Sequence, residues 1–168
     1  MAKKHRQAGT PVLRALQAAG IKYRLYEYEH SSVMEHGYAL DTADVLGLDP
    51  ALIYKTLLIE DEKENPAVAV VPATQKLSLK LMAKALGVKS VKMPEPAKAE
   101  RITGYVTGGI SPIGQKRALR TVIDSDAEKL PQMLVSGGKR SLSVGISPAD
   151  LIRLTGAKVA PITANKDG

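Results

Sequence analysis

Three segments of the chain carry apolar residues at helical spacing between a recognisable start and stop. The first begins at Thr10-Pro11 and ends at Gly20, with Val12, Leu13 and Leu16 on one side. A capping hydroxyl, an apolar stripe and a closing glycine are typical of a short amphipathic helix. We predict such helices within 10–20, 78–87 and 147–156, and shorter helical segments at 41–46 and 96–102.

Alternating or continuous apolar runs predict the strands. In segment 21–28 apolar and polar residues alternate, as in a half-exposed strand. Runs 53–59 and 67–71 flank a charged turn and predict a hairpin, and further strands are expected at 121–123, 132–135 and 142–146. Several strands are joined too tightly for helical crossovers, so we predict an α+β fold with a mixed sheet.

Composition narrows the class of protein. The 168 residues are 44% hydrophobic and 24% charged, which suits one domain, placed at 10–163 between a basic flexible tail at 1–9 and a flexible tail at 164–168. The chain has no Cys, which excludes disulfides and a cysteine nucleophile, and three His residues do not suggest a metal site. With no apolar run of about 18 residues and no signal segment, we expect a cytoplasmic protein without a membrane span.

The positive charge is concentrated in one region. Net charge is +7, and residues 76–120 carry 10 basic and 2 acidic side chains. Such a block is expected of a polyanion binder, and equally of a solvated helix face. The candidate phosphate contacts in it are Lys80, Lys84, Lys116 and Arg117.

A glycine-rich loop at 108–116 is the strongest local signal. From Gly109 it nearly spells a phosphate-binding P-loop, but Gln115 stands where the lysine must follow the second glycine. It is not a nucleophile elbow either, because Ile113 stands two residues after Ser111. Two interpretations stay open: a loop that offers backbone donors to a ligand, and a tight structural turn.

Two further signals are a lysine in a strand and a second glycine turn. Alternation places Lys55 on the same face as Leu57 and Ile59, as a cation on an apolar surface or as a lysine that blocks an edge strand. The turn at 136–141 carries Lys139 and Arg140, which are also candidate phosphate contacts. No Ser, His and Asp set is recognisable, so any hydrolysis should work by binding and orientation.

Taken together, five motifs resemble the YbaK-type aminoacyl-tRNA deacylases, which are relatives of the prolyl-tRNA synthetase editing domain. The resemblance extends over residues 11–162 and rests on Tyr28-Glu29-His30, Tyr54-Lys55-Thr56-Leu57, Thr103-Gly104-Tyr105, the loop 108–116 and Val135-Ser136-Gly137-Gly138-Lys139-Arg140. It implies a curved, barrel-like mixed sheet surrounded by helices. It also implies removal of cysteine mischarged onto tRNA(Pro), in trans, by a monomer that needs no cofactor and works alongside prolyl-tRNA synthetase.

The resemblance also assigns the site residues. Lys55 matches the essential lysine of the family, and Gly108 and Gly109 match the backbone donors around the ester. The substrate-binding positions that it implies are Tyr28, Tyr38, Thr56, Ile110, Ser111, Ser136 and Gly137. In this family the thiol of the substrate is thought to attack its own ester carbonyl, and a thiolactone leaves.

This chain departs from the family in the second loop. After Lys-Arg the family usually continues Gly-Leu-Asp with a further acid two residues later, whereas this chain has Ser143 and Gly145 at the two acidic positions. Two alternatives therefore remain: a deacylase for another small amino acid such as alanine, and a tRNA- or oligonucleotide-binding protein without turnover.

Overall fold

The computed structural model describes residues 9–28 and 38–167, and of residues 38–41 the backbone alone. Within these ranges the helices are α1 (Pro11–Ala18), α2 (Tyr38–Leu46), α3 (Leu79–Leu86), α4 (Pro96–Thr103) and α5 (Pro148–Thr155). The strands are β1 (Arg24–Glu27), β2 (Tyr54–Asp61), β3 (Pro66–Pro72), β4 (Val91–Lys92), β5 (Arg120–Asp124), β6 (Met133–Ser136), β7 (Leu142–Ile146) and β8 (Lys158–Ala160).

The helix ends lie where the capping signals predict them. The side chains of Thr10, Ser78 and Ser147 each accept a hydrogen bond from the backbone N–H three residues later. At the other end, Gly87 and Gly156 adopt the left-handed conformation, with φ of 72° and 68°. These contacts satisfy backbone groups that a helix terminus leaves unpaired, so the three predicted helices are confirmed.

The strands form two sheets. A five-stranded mixed sheet has the order β4-β2-β3-β5-β8, in which β2 pairs antiparallel with β3 while β5 runs parallel to both β3 and β8. A three-stranded antiparallel sheet has the order β1-β7-β6. The predicted hairpin, the mixed sheet and the α+β class are therefore confirmed. Strands β4 and β8, which have two and three residues, were not predicted from the sequence.

The larger sheet is packed on both faces. One apolar cluster includes Leu58 and Val70 and joins helix α1 to both sheets. The opposite face carries Ile59 and Val71, which pack against Met82 of helix α3. Neighbouring residues of β2 thus alternate between two buried faces, which fixes the register of this strand because a slip by one residue would exchange the faces.

One isolated strand bridge links the two sheets in the described part of the chain. An isolated parallel bridge joins Ile53, just before β2, to Leu134 of β6. Beyond this bridge no strand pairing between β2 and β6 is present in the described part of the chain. The divergence of the two strand edges leaves a cavity between the sheets.

The C-terminal residues differ from the flexible tail expected at 164–168. Ala164–Lys166 form a turn of 3-10 helix. The Lys166 ammonium lies 2.7 Å from a carboxylate oxygen of the fully buried Asp124. This ion pair could not be predicted from the local sequence because the two residues are 42 positions apart. Residues 1–8 of the predicted N-terminal tail, and Gly168, lie outside the described residues.

Candidate functional site

The cavity between the sheets has a volume of about 380 Å³. Its apolar walls come from both sheets and from the segment that follows β4. The sequence-predicted residues that line it are Tyr28, Lys55, Thr56, Gly108, Ile110 and Ser136. Residues separated by more than a hundred positions therefore meet in one site, as the resemblance implies.

Lys55 is a half-buried cation on the cavity wall. It projects from β2 beside Thr56. Burial lowers the pKa of Lys55 below the usual lysine value, and the positive charge of Lys76 lowers this pKa further. Lys76 stands in the basic block, but the sequence analysis did not single it out. A cation that is partly removed from water interacts strongly with any negative charge brought into the cavity.

Thr56 presents a polar atom without a partner. Thr56 is only 9% exposed, and its hydroxyl has no hydrogen-bond partner among the described residues. A buried hydroxyl without a hydrogen-bond partner costs free energy. The hydroxyl is therefore available to a ligand.

A cluster of hydroxyl groups forms another part of the wall. The Tyr28 hydroxyl lies 2.8 Å from Oγ1 of Thr42 and 3.1 Å from Oγ of Ser143, and all three residues line the cavity. Thr42 projects from α2 and was missed by the sequence analysis. Ser143 occupies the position where the resemblance expects an acid, so this part of the wall is neutral. The side chain of Tyr38 lies outside the described residues.

In the first glycine loop, one of the two glycines lines the cavity and the other does not. Gly108 lines the cavity in the left-handed region, with φ of 87°. Gly109 does not line it: its N–H donates to the Val106 carbonyl at 2.9 Å, and a Cβ there would lie 2.9 Å from the Lys139 backbone. Gly109 is therefore closely packed outside the cavity lining, and its ester-binding role stays a prediction from the resemblance.

The second loop is tied directly to the first. Ser136 Oγ donates to the Gly109 carbonyl at 2.8 Å and accepts from the Gly138 N–H at 3.1 Å. Gly137 does not line the cavity: its N–H donates to the Leu142 carbonyl at 2.8 Å, and a Cβ would lie 2.7 Å from Leu142 Cγ. Of these two predicted binding residues, only Ser136 reaches the cavity.

Ser111 is also a structural residue. It is fully buried and does not line the cavity. Its hydroxyl accepts a hydrogen bond from the Ile113 N–H at 3.3 Å, and its carbonyl accepts one from the Gln115 side chain at 2.9 Å. These contacts shape the loop from within, and the substrate contact at Ser111 stays a prediction.

Thr107, at the cavity wall, is held from two sides. Its N–H donates to the Glu100 carboxylate at 2.7 Å, and this bond lowers the pKa of Glu100. Its carbonyl accepts from Arg140 Nε at 2.8 Å. No sequence motif marks Glu100. Arg140, predicted as a phosphate contact, also fixes the loop that carries Gly108.

The predicted phosphate contacts lie outside the cavity. All six of these cations are exposed and none lines the wall: Lys80, Lys84, Lys116, Arg117, Lys139 and Arg140. Part of the basic block is neutralised within the fold, because Glu60 lies 2.7 Å from Lys98 and 3.8 Å from Lys92. The positive surface is therefore smaller than the sequence count indicates.

Neither a cluster of metal-binding side chains nor a membrane-spanning helix is present in the described part of the chain. Residues 9–28 and 38–167 contain no group of three or more His, Cys, Asp or Glu side chains that could hold a metal ion. In the same ranges no helix is long and apolar enough to cross a membrane.

Comparison with known proteins identifies the family. A sequence model of the aminoacyl-tRNA editing domain matches residues 37–154. The chain belongs to the aminoacyl-tRNA editing-domain family. An Enterococcus faecalis protein named "Putative Cys-tRNA(Pro)/Cys-tRNA(Cys) deacylase EbsC" is 37% identical over 166 residues, covering 99% of this chain and 100% of that protein.

Two further similar proteins have names that refer to prolyl-tRNA synthetase. A proline–tRNA ligase of Thermodesulfovibrio yellowstonii is 27% identical over 124 residues, which are 73% of this chain and 21% of the ligase. A crystal structure described as "a putative trans-editing enzyme for prolyl tRNA synthetase" has a TM-score of 0.76 and 25% identity, over 91% of this chain and 94% of that one. The predicted family is confirmed.

Proposed function

We propose that this editing-domain protein is a trans-acting deacylase that removes cysteine from mischarged tRNA(Pro). The observation that carries the proposal is that Lys55 lines the cavity between the sheets, whose wall also includes Thr56, with its unpartnered hydroxyl, and Gly108. This arrangement suits an aminoacyl ester, whose carbonyl oxygen becomes negative in the transition state. The name of the Enterococcus relative supports the same substrate.

The chemistry we propose uses the substrate as its own nucleophile. The cavity wall carries several hydroxyls, but the lining residues that the structure describes include no His, Asp or Glu to activate one of them. The cysteinyl thiol would attack its own ester carbonyl, forming a C–S bond. The C–O bond then breaks, the thiol proton passes to the departing ribose oxygen, and a thiolactone leaves.

In this mechanism Lys55 stabilises the oxyanion. An ammonium group in a partly desolvated site interacts with developing negative charge far more strongly than it would in water. The fixed walls hold the thiol near the carbonyl, and such orientation can supply about 7–11 kcal/mol of a barrier. The protein would then need to supply geometry and charge, without a covalent step of its own.

The surroundings of the cavity suggest how tRNA is bound. We assign Lys139 and Arg140 to phosphate contacts near the 3′ end, because their loop packs directly against Gly109. Lys80, Lys84, Lys116 and Arg117 remain proposed contacts for the rest of the acceptor stem. From the resemblance we also propose that the protein acts as a monomer alongside prolyl-tRNA synthetase. The barrel-like curvature of the sheets is a further proposal from the same resemblance.

The proposal is tested by deacylation of Cys-tRNA(Pro) with purified protein. The wild type should release cysteine rapidly, and Lys55→Ala should lose at least about a hundredfold in kcat/KM, equal to about 2.7 kcal/mol. Lys89→Ala is the matched control because Lys89 is an exposed lysine outside the cavity lining. Full activity of Lys55→Ala, with a circular dichroism spectrum like that of the wild type, would refute the role of Lys55.

A second candidate is a deacylase for alanine. It is favoured by Ser143, which replaces the acid that the cysteine-specific family usually carries, and by the neutral hydroxyl cluster around it. The same assay with Ala-tRNA(Pro) distinguishes the two substrates. Binding without release of either amino acid would indicate a non-catalytic tRNA-binding protein.

A further inference from the structure

The edge of β2 that faces the cavity is unpaired along its middle. On that side, β4 pairs with Glu60 and Asp61 alone, and the bridge to Leu134 lies before the strand, at Ile53. Among the described residues, no strand pairs with residues 55–59 on this side. A free edge inside a protein presents backbone N–H and C=O groups that need partners.

The register shows which backbone groups point to this edge. Opposite β2, Tyr54 pairs with Pro72 and Glu60 pairs with Pro66. Proline has no N–H, so these positions cannot be the pairs that exchange both hydrogen bonds. Because backbone direction alternates along a strand, the N–H and C=O of Thr56 and Leu58 also point away from β3. Both residues line the cavity.

Proline also explains why β4 stops short of this edge. If the pairing of Lys92 with Glu60 continued, Pro94 would lie opposite Leu58. A proline there can donate no hydrogen bond to the strand, so the ladder ends. Pro94 and Met93 instead form part of the cavity wall. The open edge is thus a consequence of the sequence and presents two groups side by side, the Thr56 carbonyl and the Leu58 N–H.

An acceptor beside a donor on one strand edge matches the edge of an adenine base. Adenine offers an amino group, which donates, next to the ring nitrogen N1, which accepts. Bases at single-stranded ends are read in this way, by hydrogen bonds to the Watson–Crick edge between apolar walls. Leu58, Met93 and Pro94 provide such walls. Lys55 lines the same cavity, and the charge of Lys76 is near enough to lower the pKa of Lys55.

We infer that the open edge of β2 reads the terminal adenine of tRNA: the Thr56 carbonyl accepts from the adenine amino group, and the Leu58 N–H donates to N1. The inference rests on the proposed function and adds the base to its substrate. An extended peptide fits less well, because only two residues of the edge offer free groups before Glu60 resumes pairing. The cavity volume of about 380 Å³ also suits one nucleoside.

Substrates with altered terminal bases test the inference on the unmodified protein. Cysteinyl minihelices ending in purine riboside, which lacks the amino group, or in 1-deazaadenosine, which lacks N1, should each lose about five- to tenfold in kcat/KM. A minihelix ending in 7-deazaadenosine is the matched control, since it keeps both contacts, and should react as adenosine does. Inosine reverses donor and acceptor and should be worst.

A binding measurement separates this inference from the proposed function. The affinity of 3′-cysteinylamino-3′-deoxyadenosine, a non-hydrolysable amide, is compared with that of its purine riboside counterpart. Weaker binding of the counterpart by about five- to tenfold supports base reading even if no ester is cleaved. Equal affinities, equal turnover of all four minihelices, or a loss with 7-deazaadenosine as large as that with 1-deazaadenosine would each overturn the inference. Equal affinities would also be the result if the edge bound a peptide instead.

Discussion

The hydroxyl of Ser136 donates a hydrogen bond of 2.8 Å to the carbonyl oxygen of Gly109, across 27 positions of the chain. This bond joins the two glycine loops at a place where the backbones are in contact, since Gly109 has no room for a Cβ beside Lys139. Gly108, which faces the cavity, is the neighbour of the residue so held. The second loop therefore positions the first.

Removal of this bond should impair the site more than the fold. We expect Ser136→Ala to lower kcat/KM about tenfold, because the Gly109 carbonyl loses its donor and the Gly108 loop becomes less well positioned. The free energy of unfolding should fall by about 1 kcal/mol. Ser90→Ala, at an exposed serine, is the control. A loss of stability without a loss of activity would contradict the positioning role.

Activity should fall at alkaline pH because Lys55 must carry its charge. Burial and Lys76 lower the pKa of Lys55, so its proton is lost at a lower pH than that of an ordinary lysine. Deacylation should therefore decrease as the pH rises through this pKa, whereas at lower pH it should rise with ionisation of the substrate thiol, whose thiolate is the nucleophile. Corrected for uncatalysed hydrolysis, kcat/KM of the wild type should show this decrease and that of Lys55→Arg should not, since arginine keeps its charge.

The contribution of Lys76 is tested by the same profile. Lys76→Gln removes a neighbouring positive charge, so the pKa of Lys55 should rise and the alkaline decrease should move to higher pH. Lys89→Gln makes the same change in net charge at an exposed site away from the cavity lining and should leave the profile unchanged. Identical profiles for both variants and the wild type would contradict the electrostatic contact.

Local sequence signals predict much of this fold. Each capping residue and closing glycine acts on neighbouring backbone groups, so Ser78 and Gly87 could be identified from the sequence alone. Strands β4 and β8 could not, because two or three residues carry no periodic pattern and depend on a distant partner. For the same reason the C-terminal turn could not be predicted, because Lys166 is held there by the distant Asp124.

The site was predictable in its members and less so in their roles. Lys55 and Gly108 are where motif reasoning places them. Gly109 and Gly137 belong to the same motifs, but neither lines the cavity. A Cβ at Gly109 would meet the Lys139 backbone, and a Cβ at Gly137 would meet the Leu142 side chain. Thr42 has no motif of its own, and only the tertiary structure brings its hydroxyl to Tyr28.

The attachment of the C-terminus should be visible in stability. Lys166→Met leaves the fully buried carboxylate of Asp124 without the ammonium 2.7 Å away, and we expect a loss of about 3 kcal/mol in the free energy of unfolding. Lys80→Met is the matched control: it removes an exposed pair with Asp167 at 3.8 Å, which should contribute less than about 1 kcal/mol. Urea denaturation measures both. Equal, small losses would indicate that the tail does not stabilise the domain.

The hydroxyl cluster should act as a unit. Tyr28→Phe and Ser143→Ala each remove one end of the same 3.1 Å contact. If this contact shapes the pocket, the second substitution should cost little once the first is present, with a coupling of about 1 kcal/mol in kcat/KM. A double-mutant cycle measured on Cys-tRNA(Pro) gives this coupling directly. Strictly additive losses would mean that the two hydroxyls contact the substrate independently.

The identity of the nucleophile is tested by substrates of nearly equal size. A cysteinyl ester carries a thiol that can reach its own carbonyl once the cavity fixes its conformation, whereas a serinyl ester has nearly the same shape and a poorer nucleophile. We expect rapid deacylation of Cys-tRNA(Pro), a rate at least about a hundredfold lower for a seryl ester on the same tRNA, and a thiolactone as the first cysteine product, detected by mass spectrometry after rapid quenching. Alanine has no side-chain nucleophile. If its ester is cleaved as fast as that of cysteine, water must be the attacking group. The replacement of the family's acid by Ser143 would then mark a different amino-acid specificity.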